Sequence, residues 1–77
     1  MKPYYDITSA TLRNITELVW FCSELNLGNV SFSYYQDQID FHLSENKHGW
    51  ELVVKLPQGR DIYKVEDSSL IYQYSEN

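Results

Sequence analysis

The chain has 77 residues, 43% of them hydrophobic and 16% aromatic, which is too rich in large apolar groups for a disordered acidic tail. That length suits one small α+β domain over residues 1–77, burying roughly 60% of the surface its unfolded form exposes. Eleven acids against six bases give a net charge of −5, the wrong sign for direct binding to nucleic-acid phosphates or an anionic membrane.

The first predicted element is a helix from Thr8 to Asn26. Leu12, Ile15, Leu18, Val19, Cys22 and Leu25 recur at three-four spacing and share one face. Phe21 falls at the margin of that stripe, as core edge. Thr8 or Ser9 can cap the start, where a hydroxyl accepts from a free N–H of the first turn. Gly28 stands where a helix end needs positive φ.

The period then switches from three-four to two. Val30, Phe32 and Tyr34 alternate with serines and Tyr35, and Ile39, Phe41 and Leu43 alternate with Asp40 and His42. With Gln36-Asp37 as a two-residue loop, Tyr34 faces Ile39, Phe32 faces Phe41, and Val30 faces Leu43. All six then lie on one side of a hairpin. Ser44 to Gly49 reads as a polar connection. Trp50, Leu52, Val54 and Leu56 mark a third strand, and Pro57-Gln58-Gly59-Arg60 a tight turn. A fourth strand over Asp61 to Val65 puts Tyr63 and Val65 on the core side. In the tail, Asp67-Ser68-Ser69 could cap a short helix, but the β-branched and aromatic content of Leu70 to Tyr74 favours a strand. The expected architecture is one N-terminal helix packed on one face of an antiparallel four- to five-stranded β-meander, with no internal repeat.

One cysteine cannot form an internal disulfide, and a lone thiol suits a reducing compartment. The first residues lack the apolar run of a signal peptide, and no stretch approaches the length of a membrane span. The expectation is a soluble, cytoplasmic protein.

Chemistry is sparse. His42 projects from the outer sheet face with Asp40 beside it and Glu51 expected opposite, the elementary pairing of acid–base catalysis and a partial metal site. No nucleophile stands at a defined spacing, no third ligand appears, and His48 lies in a loop. A solvated cross-strand charge pair accounts for these residues. Cys22 lies on the inward stripe without the exposure or positive surroundings a reactive thiol needs. Three isolated glycines lack phosphate-loop spacing, and Asn14-Ile15-Thr16 is a chance glycosylation triplet inside the helix. No catalytic set, metal site or cofactor is expected.

Binding residues are better represented. Trp20 lies about 140° round the helix from Ile15, among Arg13, Thr16, Glu17 and Glu24, where a Trp is either a docking anchor or is itself covered by the sheet edge or the tail. Tyr4, Tyr5, Tyr35, Tyr72 and Tyr74 are too many to face so small a core, and exposed Tyr suits recognition. Asp37, Asp40 and Glu51, with Asp61 and other acids, spread over the sheet half. In overall profile the chain resembles the small inhibitors encoded by phages and mobile elements, anti-CRISPR proteins among them; the likeness is one of type and rests on no individual motif. It implies a non-enzymatic inhibitor of a larger, basic, nucleic-acid-handling protein, with nucleic-acid mimicry as one device. Trp20, Glu17, Glu24, Tyr35, Asp37, Asp40, Glu51, Tyr72 and Tyr74 are its expected contact residues. The alternative is a structural or adaptor subunit that self-associates through the open sheet face, where Val53 and Ile62 are apolar, or through an edge strand.

Overall fold

A computed structural model describes residues 2–25 and 30–77. Ser9–Glu24 form helix α1, and five strands follow: β1 Ser31–Gln36, β2 Ile39–Asn46, β3 Gly49–Leu56, β4 Gly59–Glu66 and β5 Ser69–Glu76. They pair antiparallel in chain order, so the sheet is a meander with β1 and β5 at its edges. Thr8 caps the helix with extended backbone and accepts from the Thr11 N–H at 3.1 Å. The expected turn at Gly28 and the last expected helical residue, Asn26, lie outside the described residues.

Alternation decides which side of each strand meets the helix. Ile15 of α1 packs with Phe41, Leu43, Trp50, Leu52, Val54, Tyr63 and Val65, all buried. Leu18, Val19, Cys22, Val30, Phe32 and Tyr34 add a half-buried rim. Phe41 is central: Tyr34 stacks on it at 5.2 Å between ring centroids and Tyr5 meets it edge-on at 5.8 Å. Burying each such side chain is worth about 1.5–3 kcal/mol. Thr11 is fully buried on the inward helix face, whereas Leu25 is 53% exposed and Phe21 57%. Both were expected at the core; one helix laid across five strands leaves its flanks and last turn without a surface to cover them.

The turns recur every ten residues, at Asp37-Gln38, Lys47-His48, Pro57-Gln58 and Asp67-Ser68. This period is structural, with no matching sequence repeat. It corrects the first hairpin: the loop lies one residue later than expected, and Tyr34 faces Phe41 while Phe32 faces Leu43. The shift changes every pairing by two residues, so each side chain keeps its face. Ser44 to Gly49 is strand and turn, closed where the Asn46 side chain accepts from the His48 N–H at 2.8 Å. The tail is a strand. Its pairing with β4 carries an irregularity at Ile62/Tyr63, where Tyr72 pairs with Tyr63 but Tyr74 with Ile62, leaving Gln73 as the extra residue.

Candidate functional site

Two surfaces and one buried carboxylate account for the polar residues. Asp61 is fully buried on the helix-facing side of β4. Its oxygens accept from the Tyr4 N–H at 2.9 Å, the Tyr5 N–H at 3.0 Å and the Ser75 hydroxyl at 2.6 Å. The expectation had placed Asp61 in a surface field of acids. Instead it ties the N-terminal segment across the sheet to β5, which its strand parity with Tyr63 and Val65 already signalled. Burial, followed by the charge of Asp61, pushes the Tyr63 phenol up to about 12.

On the outer sheet face the side chains form three cross-strand rows. One runs Tyr35, Asp40, Lys55, Arg60, Glu76; a second runs Ser31, Ser44, Glu51, Lys64, Ile71. Opposite charges are neighbours in both, and Arg60 Nε lies 2.8 Å from Glu76 Oε1. Glu51 therefore faces Lys64 and Ser44, not His42 as expected. The third row runs Ser33, His42, Val53, Ile62, Tyr74. Ser33 Oγ lies 2.7 Å from His42 Nδ1 and Ser31 Oγ 3.1 Å from Nε2, so two hydroxyls take the place of the expected carboxylates. Ile62 is only 5% exposed although it belongs to the outer face, which corrects its expected place in an open apolar surface. Among the described residues no cluster of three His, Cys, Asp or Glu side chains could hold a metal ion. No helix among them is long and apolar enough to cross a membrane.

The expected contact residues do not converge. Tyr35, Asp40, Glu51 and Tyr74 lie on the outer sheet face, with Asp40 half-buried, and Asp37 is exposed in the first turn at φ 54°. Tyr72 is turned to the core side, where its ring packs edge-on against Tyr63 and its hydroxyl meets Ser75 at 2.5 Å. The extra residue Gln73 separates Tyr72 and Tyr74 onto opposite faces, a break in alternation that no residue type announces.

Glu17, Trp20 and Glu24 share the outward side of α1. Trp20 is 64% exposed. By helical geometry Glu17 and Glu24 stand opposite the buried Ile15, with Trp20 and Phe21 about 100° apart astride them. Arg13, exposed one turn before Glu17 and on the side of Trp20, is the one basic residue of α1. No protein-family model matches the chain, and comparison with curated proteins and with solved structures likewise finds no match. The outward helix side, with three large apolar side chains beside two carboxylates, is the best-formed candidate for recognition. Phe21 and Leu25 were missed as contacts because a stripe rule assigns them inward.

Proposed function

We propose that this protein is a non-enzymatic binding module that docks the outward side of α1 onto a larger basic protein and inhibits it by occupying its surface. The observation that carries this reading is the exposure of Trp20, Phe21 and Leu25 beside Glu17 and Glu24, with Arg13 the one basic residue of α1. Rigid aromatic area with a carboxylate rim fits an apolar slot edged by Lys and Arg. Proteins that handle nucleic acid present such edges, so a phage or mobile-element inhibitor of one is the kind of role that suits this surface. The outer sheet contributes less, because Asp40 and Glu51 face Lys55 and Lys64 across the strands. Mimicry of a phosphate row is therefore not part of this reading.

The test is tagged capture from a cell lysate at low and high salt, with Trp20→Ala beside the wild type. A basic nucleic-acid-handling protein should be retained at low salt and released at high salt, because rim charges are screened. Trp20→Ala should weaken it by about 2 kcal/mol, roughly 30-fold in Kd. Capture indifferent to both salt and Trp20 rejects the proposal.

A further inference from the structure

We propose that β1 is a homodimerisation edge: two copies pair antiparallel about a two-fold axis at Ser33, extending the meander into one ten-stranded sheet. The proposal does not use Trp20, the anchor of the docking assigned to α1, although Glu17 and Phe21 border both surfaces. In the β1–β2 ladder Glu45 N–H donates to Val30 O at 2.8 Å, and a two-residue turn joins Gln36 to Ile39. Val30, Phe32, Tyr34 and Gln36 therefore direct their backbone groups at β2. Ser31, Ser33 and Tyr35 direct theirs outward, three donors and three acceptors with no strand beyond them among the described residues.

Devices that normally protect such an edge are missing. β1 reads SFSYYQ, without charge, proline or bulge, whereas every other strand carries charged side chains and the opposite edge, β5, has the irregularity at Gln73. For a chain of net charge −5, this neutral strand is where a second copy approaches with least repulsion. Its sequence is also self-complementary about Ser33. The axis sets Ser33 against its own copy, so two small neutral side chains meet on the exposed outer face. Phe32 then meets Tyr34 of the second copy on the core side, and Ser31 meets Tyr35 on the outer side. Tyr35 is 75% exposed. Beside the same edge, Leu18, Phe21 and Tyr34 line a groove of about 440 Å³ that gives the short strand pair additional area to bury. The Tyr34 hydroxyl is buried and has no hydrogen-bond partner among the described residues.

Sedimentation equilibrium up to about 1 mM protein should show twice the 9.1 kDa chain mass. Association should strengthen with salt, which screens like charge, opposite in sign to the capture experiment. Ser33→Pro removes an outward N–H and no β1–β2 ladder bond, so it should abolish the dimer while circular dichroism stays folded. Ser33→Glu sets two carboxylates against each other at the axis and should weaken self-association at least tenfold. Mixing Ser33→Glu with Ser33→Lys should restore a heterodimer. Trp20→Ala should leave the dimer unchanged, which separates this result from the fate of the α1 proposal. A wild type that stays monomeric over this range, or a dimer undisturbed by Ser33→Glu, overturns the inference.

Discussion

Asp61 shows how one side chain organises this small molecule. A carboxylate with no exposed surface is costly unless its lone pairs are filled, and here two backbone donors and a hydroxyl fill them. Asp61→Ala leaves the Tyr4 and Tyr5 amides and Ser75 without that acceptor and frees the N-terminal segment. It should cost about 3 kcal/mol in urea unfolding and open residues near Tyr4 to limited proteolysis. Tyr63, two residues on, makes stability depend on alkaline pH. Its folded pKa lies above the unfolded 10.0, at about 12, so between those values the unfolded chain loses a proton that the folded chain keeps. The Tyr63 contribution is therefore fully present below pH 10 and lost as pH rises toward about 12. Thermal melts across that window should show a falling midpoint, and Tyr63→Phe should flatten the fall.

At the scale of elements, the hairpins use two turn solutions. Asp37-Gln38 and Asp67-Ser68 hold positive φ at both positions, from 48° to 65°, the twist-compatible turn that prefers glycine. Gln38→Gly and Ser68→Gly should each stabilise by about 0.5–1 kcal/mol, the relief of left-handed backbone exceeding the entropy that glycine adds to the unfolded chain. After Lys47-His48 and Pro57-Gln58 the positive φ falls instead on the next residue, Gly49 at 113° and Gly59 at 153°. Gly59 has a second constraint, since a Cβ there would run into the Glu76 carbonyl of β5. Gly59→Ala should lower stability by about 2 kcal/mol, read as a shift in urea midpoint without change in slope.

For the whole molecule, one helix over five strands concentrates stability in the layer between them and leaves the rest for contact. Phe41→Ala, which removes the ring between Tyr34 and Tyr5, should cost about 3–5 kcal/mol. Trp20→Ala should stay within about 0.5 kcal/mol of the wild type in the same unfolding experiment, because most of its ring is already in water. Under the docking proposed for α1, this exposed ring is the part of the surface that a partner would cover.

Periodicity by itself determined the helix, the strand faces, the meander and most of the core. These follow from repeats of about 3.6 and 2 residues, which any solvent-facing layer imposes. Even the misplaced first turn preserved every face, since a shift of two residues keeps parity. Tertiary structure alone decided how far α1 reaches over the sheet, and so the exposure of Phe21 and Leu25. It also set Glu51 against Lys64, turned Tyr72 inward through the extra residue Gln73, and enclosed Asp61 beneath the N-terminal segment. Those outcomes depend on register and on which segment closes over which, relations between residues distant in sequence that local patterning does not contain.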